Sequence, residues 1–330
     1  MSLTPNHHRK KRTEPPRKHR RRRSGRYPLI LLPVLMVLII LMYLFPKEAR
    51  QILTEMNLDI PPFLLERTAP DGPGSGDFEV HFLDVGQGLS VLVRSGEHTL
   101  LYDGGDREAS SYVVSYLQRQ NIRSLDYVIA SHYDADHLSG LIGALNNFPV
   151  DTVLGPDYVH DSKTYSSFMK AVSLSGNTVE HPSVGDTYSL GSSSFTVLAP
   201  QKTGSDSNNN SIVIRLVNGK NSFLLTGDAE SGSEEEMCLT GLNLYSDVLC
   251  PGHHGSSSST SSLFLSYVQP EYAVISVGAG NDYGHPHRET LQRLDDAGVS
   301  VYRTDQLGTI IAYSDGELIS WQFEGYNWAG

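Results

Sequence analysis

Cysteine is nearly missing from this sequence, with only Cys238 and Cys250 present. Two thiols define no disulfide framework, and without a Cys-x-x-Cys pair a thiolate zinc knuckle is excluded. Both are read as buried thiols, compatible with an exported protein. Internal repeats of solenoid period are also lacking, which excludes a stacked-repeat architecture. Positive charge is sparse in most of the chain. Eleven of the 26 Lys and Arg residues fall in residues 1–26, beside a single acid, Glu14. The remaining 15 bases and 36 acids leave residues 27–330 with a net charge of −21. Long apolar runs are limited to one, Leu29 to Phe45.

That run has no charge between Arg26 and Lys47 and approaches the ~20 residues needed to cross hydrocarbon. It is followed by Phe45-Pro46-Lys47-Glu48-Ala49-Arg50, with no small-residue cleavage site, so an uncleaved anchor is expected instead of a signal peptide. The basic flank orients the anchor with its amino terminus in the cytoplasm and the acidic body outside. The expected plan is a basic cytoplasmic tail over residues 1–26, a transmembrane helix over 27–46, a linker over 47–76 and a folded body over 77–330. Membrane lipid is then one partner, through the anchor, and no protein partner is inferable. Pro61, Pro62, Pro70, Gly72, Pro73, Gly74 and Gly76 mark the linker.

Within the body, short apolar runs of strand type alternate with helical patterns. Strands are expected at Phe78–Leu83, Gly88–Val93, Thr99–Tyr102, Tyr127–Ala130, Phe195–Leu198, Ile212–Val217 and Ser222–Leu225. Further strands are expected at Asp247–Leu249, Tyr272–Val277, Ser300–Tyr302 and Thr309–Tyr313. Helices are expected at Ser110–Gln120, Leu138–Asn146, Ser233–Leu239 and Glu289–Asp296, with loops at Ser205–Asn210 and Ser256–Ser262. The mixture predicts a layered α/β domain.

The densest chemistry is Ser131-His132-Tyr133-Asp134-Ala135-Asp136-His137, which follows an apolar strand. Alternate residues of an extended loop share a side, so His132, Asp134 and Asp136 can converge, and a turn brings in His137. A solvated polar loop would explain this cluster alone. Two other strand ends weaken that reading: Asp228 closes Leu225-Thr226-Gly227-Asp228, and His253 and His254 follow Val248-Leu249-Cys250-Pro251-Gly252. Three strand ends delivering acids and imidazoles suit a site on one sheet edge.

The pattern resembles the metallo-β-lactamase superfamily signature His-x-His-x-Asp-His, with Asp134 in place of the second His. Within it, the resemblance is greatest to the extracytoplasmic hydrolase domain of ComEC-type DNA-uptake (competence) proteins. The segments that carry it are Phe82 to Gly88, Tyr102 to Gly105, Ser131 to His137, Asn210-Ser211, Thr226 to Asp228, His253 to Ser256 and Tyr283 to His287. The resemblance implies a four-layer αββα sandwich and two divalent metal ions. His132 and Asp134 would serve one ion, Asp136 and His137 the other, and Asp228 would bridge. His254 would supply the remaining imidazole, with His253 as the alternate. Asp84, Asp103, Asn210 and Ser211 are expected to support these residues from behind. Carboxylates in place of imidazoles harden the first position and move preference from Zn toward Mn. This chain has one apolar run where the DNA-uptake proteins have a channel-forming membrane domain, so transport is not implied.

The function expected is a membrane-anchored, extracytoplasmic phosphodiesterase or nuclease-like hydrolase. Asp136 would both ligate and orient the attacking water, and His285 or His287 would contact substrate or protonate the leaving group. A bracing role at the following helix is the plainer reading of those two histidines. The substrate expected is extracellular nucleic acid or a cell-surface phosphodiester, although a body of net −21 repels polyanions. Two alternatives stand beside it: a lactone or β-lactam hydrolase, and a non-catalytic binding module on the same scaffold.

Overall fold

The structure is a computed structural model that describes residues 77–325. The expected tail, anchor and linker lie outside the described residues. Among the described residues no helix is long and apolar enough to cross a membrane.

Two mixed sheets form the centre, with strands numbered along the chain. The first has the order β15 (Ile319–Phe323), β14 (Ile310–Ser314), β1 (Phe78–Phe82), β2 (Val91–Ser95), β3 (His98–Tyr102), β4 (Leu125–Ile129), β5 (Val150–Leu154) and β6 (Val179–Glu180). The second has the order β13 (Ser300–Arg303), β12 (Tyr272–Ile275), β11 (Val248–Cys250), β10 (Asn221–Leu225), β9 (Val213–Asn218), β8 (Ser193–Ala199) and β7 (Thr187–Leu190). Pairing is parallel from β3 to β6 and from β10 to β13, and antiparallel elsewhere.

Parallel neighbours need crossovers, and helices supply them. Beside the first sheet these are α1 (Ser110–Arg119), α2 (Ala135–Asn147) and α3 (Lys163–Leu174). Beside the second they are α4 (Ser231–Leu239), α5 (Ser262–Val268) and α6 (Arg288–Asp296), while the short α7 (Thr304–Leu307) joins β13 to β14.

Side-chain alternation along the strands assigns the layers. Val91 and Val93 of β2, Phe223 and Leu225 of β10, and Val248 and Cys250 of β11 pack together between the sheets. Their neighbours point outward: Leu92 joins a cluster with α1 to α3, and Leu224 and Leu249 join one with α4 to α6. The result is the expected helix–sheet–sheet–helix stack. Cys238 and Cys250 are free, buried thiols.

Most expected elements are present with ends shifted by one to three residues. One shift matters to the chemistry. α2 begins at Ala135 and not at Leu138, so Asp136 and His137 sit in a helical first turn instead of an extended loop. The expected loop at Ser256–Ser262 ends in α5, whose N-cap Ser261 accepts the Phe264 amide hydrogen at 3.2 Å. β5, β6, β7, β15, α3 and the short α7 have no counterpart among the expected elements.

Candidate metal centre

The site forms at the carboxyl ends of β4, β10 and β11, where parallel strands of an α/β sheet usually present ligand groups. After β4 the chain passes Ser131 and His132, then enters α2 with Asp134 as N-cap residue, in extended conformation. After β10 comes Asp228. After β11, His253 and His254 both adopt left-handed backbone angles, φ 50° and 53°, in a single tight turn (His253–Gly255). That turn directs the two rings to one side.

Each imidazole is held by its Nδ1. His137 Nδ1 donates to Asp103 Oδ2 at 2.8 Å. His254 Nδ1 donates to the Ser276 carbonyl at 3.0 Å, and His253 Nδ1 to Glu230 Oε1 at 3.0 Å. For His132 the direction follows from its neighbour: Ser131 Oγ spends its hydrogen on Asp103 Oδ2 at 2.7 Å, so it accepts from His132 Nδ1 at 3.0 Å. A neutral imidazole held this way carries its lone pair on Nε2.

Those Nε2 atoms converge. His137 Nε2 lies 3.2 Å from Asp228 Oδ1 and 3.8 Å from Asp136 Oδ2. His254 Nε2 lies 3.3 Å from Asp136 Oδ2 and 3.7 Å from Asp228 Oδ1. His132 Nε2 is 3.7 Å from Asp134 Oδ2, and His253 Nε2 is 3.8 Å from Asp228 Oδ2. Nε2 of His132, His137 and His254, with Asp228 Oδ1, are buried and have no hydrogen-bond partner. Unpaired buried polar atoms are costly and rare, and four aimed at one space fit cations. Two overlapping triads have ligand atoms mutually within 4.8 Å: His132, His137 and Asp228, and Asp136, His137 and His254. The geometry therefore places His137 in both triads, where the expected division gave it to one ion. Asp134 joins neither triad and stands beside His132.

Electrostatics in the metal-free site follow this crowding. Burial disfavours a charged imidazole at His137, but the carboxylates of Asp228, Asp103 and Asp136 outweigh it and hold His137 well above its ordinary range. His254 is raised in the same way against its own burial, by Asp228 and Asp136. Burial would raise Asp136 and Asp228, yet His137 and His254 pull both below the usual carboxylate range.

The supporting residues divide into two kinds. Asp103 accepts from Ser131 N, Ser131 Oγ and His137 Nδ1. Ser211 Oγ accepts the Asp228 amide hydrogen at 3.1 Å and lies 3.4 Å from His132 Nδ1. The side-chain hydrogen bonds of Asp84 and Asn210 go instead to their own loops, through Gly86 and Gly204.

The two later histidines also part company. His285 lines the open cavity of about 160 Å³ over the site, with Gln87, Asn208 and Tyr283. Its own burial, then the neighbouring His254, His253 and His287, lower its pKa to about 4. His287 is committed elsewhere: its Nδ1 accepts the Ser257 amide hydrogen at 2.9 Å, which leaves Nε2 to donate to the Tyr283 carbonyl at 3.1 Å. These contacts tie the ring to two loops and occupy both its nitrogens, and the ring makes no side-chain cap on the following helix. Sequence reasoning missed Glu230, which lies two residues beyond Asp228 and orients His253 while accepting from Ser258 Oγ at 2.8 Å. It also missed Ser207 and His160, both beside Asp134.

Comparison with known proteins gives this geometry its setting. The family model described as the metallo-beta-lactamase superfamily matches residues 83–279. ComE operon protein 3 of Bacillus subtilis (strain 168) is 32% identical over 255 residues, covering 72% of this chain and 33% of its own. Competence protein ComA of Neisseria gonorrhoeae is 34% identical over 246 residues, covering 73% and 33%. Recombination protein 2 of Haemophilus influenzae is 36% identical over 224 residues, covering 66% and 26%. The chain thus spans a third or less of the length of these relatives. Since the matched stretch runs from the loop after β1 past β12 and takes in His132 to His137, Asp228, His253 and His254, the chain belongs to the metallo-beta-lactamase superfamily.

Proposed function

We propose that this chain is an extracytoplasmic metal-dependent phosphodiesterase, held at the cell membrane by its apolar segment, Leu29 to Phe45. The observation that carries the reading is the set of four buried, partnerless donor atoms from His132, His137, His254 and Asp228 beneath an open cavity. These residues, with Asp136 and Asp134, would hold two divalent ions, Zn or Mn, which when bound supply Lewis acidity and an activated water. Asp136, in the first turn of α2, faces His254 and His137 and is placed to orient the attacking water. Gln87, Asn208 and Tyr283 line the cavity and offer neutral donors to phosphoryl oxygens. His285 stays uncharged at neutral pH and suits hydrogen bonding to substrate better than proton donation. Among the described residues the cavity lining has no Lys or Arg. Together with the −21 body, this favours a small diester or a single-stranded end over a long polyanion.

The test is turnover by the full chain with Mn²⁺ or Zn²⁺ on single-stranded DNA, a bis-aryl phosphodiester, a phosphorylcholine ester, a lactone and a β-lactam. Asp136→Asn and Asp228→Asn are each expected to lower metal-dependent diester cleavage by ~10²–10³-fold or more, with the fold retained because side-chain volume is kept. Diester cleavage at the parental rate in both variants would move the chemistry away from this site. Turnover of the lactone or β-lactam alone would replace the substrate class.

A further inference from the structure

Asp134 occupies the place of the second His in the superfamily pattern, so a carboxylate with two oxygens replaces an imidazole with one available nitrogen. Both oxygens are accounted for. Ser207 Oγ donates to Oδ1 at 2.9 Å, and His160 Nε2 lies 3.4 Å from the same oxygen. Oδ2 is turned the other way, 3.7 Å from His132 Nε2.

The Ser162 amide hydrogen is donated to His160 Nδ1 at 3.2 Å, so the neutral ring carries its proton on Nε2, the nitrogen 3.4 Å from Asp134 Oδ1. Ser207 gives its only hydroxyl hydrogen to the carboxylate, so the Tyr158 hydroxyl, 2.9 Å away, donates to Ser207. The Tyr158 oxygen in turn accepts the amide hydrogen of Tyr133 at 3.0 Å. Tyr133 N–H, Tyr158 O–H and Ser207 O–H thus form one chain of donors running into Asp134. Such a chain strengthens each bond along it. Tyr158 and His160 are alternate residues of the loop between β5 and α3, and they reach Asp134 by separate routes.

We infer that this loop clamps Asp134 as a one-oxygen metal ligand, with His160 as the positioning residue. The inference rests on the metal-centre reading. An unclamped carboxylate can chelate through both oxygens or swing aside, whereas the Ser207 hydrogen bond and the His160 contact at Oδ1 leave Oδ2 alone for the ion and reproduce the single contact of an imidazole. His160 is not itself a ligand in this arrangement. Its Nε2 lies 3.4 Å from Oδ1, and neither metal-competent triad among the described residues includes it.

The test strips the full chain of metal, titrates it calorimetrically with Mn²⁺ and with Zn²⁺, and counts bound ions by elemental analysis. His160→Ala is expected to weaken one of the two binding events by ~10–100-fold, the scale of losing an outer partner of a ligand, and to leave the other at the parental value. His160→Gln, whose amide N–H can address the same oxygen, is expected to recover most of that loss. The unfolding midpoint of the metal-free protein stays at the parental value in both variants. Parental affinity in both events for His160→Ala overturns the clamp. So does equal weakening of both events with a lowered metal-free midpoint, which marks a merely structural histidine. A parent that binds two ions yet cleaves no phosphodiester removes the proposed substrate and leaves the clamp to the affinities; one that takes up no divalent ion overturns both.

Discussion

Asp103 stands directly behind the ligand loop with no solvent exposure, and three hydrogens end on its two oxygens. Its backbone is left-handed, φ 58°, a conformation Asn also tolerates. Asp103→Asn therefore changes the acceptor count and the charge with little backbone cost. One donor loses its partner, for ~1–3 kcal/mol of stability, and His137 loses the group that keeps its Nε2 lone pair inward, for ~10–100-fold in metal affinity. Denaturant unfolding and metal titration measure the two effects separately, and unchanged affinity would show that Asp103 does not orient His137. Residues of this kind differ in how openly the sequence shows them. His132, Asp134, Asp136, His137 and Asp228 are conspicuous because clustered acids and imidazoles at strand ends have few other uses. Ser207 and His160 act through a third residue, Asp134, and come from segments far apart in the chain, so only folding makes their role visible. Glu230 lay within reach, two positions beyond Asp228, but gave no periodic or spacing signal.

The position of α2 decides where Asp136 and His137 point, and that position depends on a close backbone approach. A Cβ at Gly140 would run into the carbonyl of Gly104, while one at Gly143 would meet the Ser110 hydroxyl at 2.7 Å and the Val114 side chain at 3.1 Å. Backbone cannot give way as a side chain can. Gly140→Ala is expected to cost ~1–3 kcal/mol or more by overpacking and to weaken metal binding with it, whereas Gly143→Ala costs less. Urea midpoints for the pair decide this; equal shifts would mean that α2 can slide without penalty. The elements that escaped the sequence explain themselves physically. α3 buries only Phe168, Ala171 and Val172 among serines and lysines, too thin a stripe to stand out. α5 is seven residues long and begins inside a serine run whose composition reads as loop, although Ser261 of that run is its cap. Short apolar runs made β2, β10 and β11 legible; β5 has an exposed Asp151 in second place and a short apolar remainder.

For the molecule as a whole, the charge cluster at the metal centre couples stability, pH and ion uptake in opposite directions. In the metal-free protein His137 and His254 have raised pKa values. Their contribution to stability is complete below the ordinary imidazole value of about 6.5 and is lost as pH rises through the raised folded values. Asp136 and Asp228 are lowered, so their contribution is present above the ordinary carboxylate range and is lost as pH falls through the depressed values. The metal-free protein thus loses stability on the alkaline side. Ion binding gains there, because the imidazoles must shed their protons first. The rise in unfolding temperature on adding Mn²⁺ or Zn²⁺ is expected to be larger at pH 8 than at pH 6. An equal rise at both would remove His137 and His254 from the ligand set.

The order of the first sheet imposes a schedule on the making of the protein. β1 lies between β2 and β14, and Phe78 pairs with Ser95 on one side and Ser314 on the other. Among the described strands, the first to emerge from synthesis waits on one flank for nearly the last. Until residue 314 has been made, β1 presents a bare row of amides and carbonyls, the kind of edge that recruits foreign strands. Every ligand candidate, from His132 to His254, is complete well before that flank closes. The hairpin of β14 and β15 is therefore the closing seam of the first sheet, added after every ligand candidate has been synthesised.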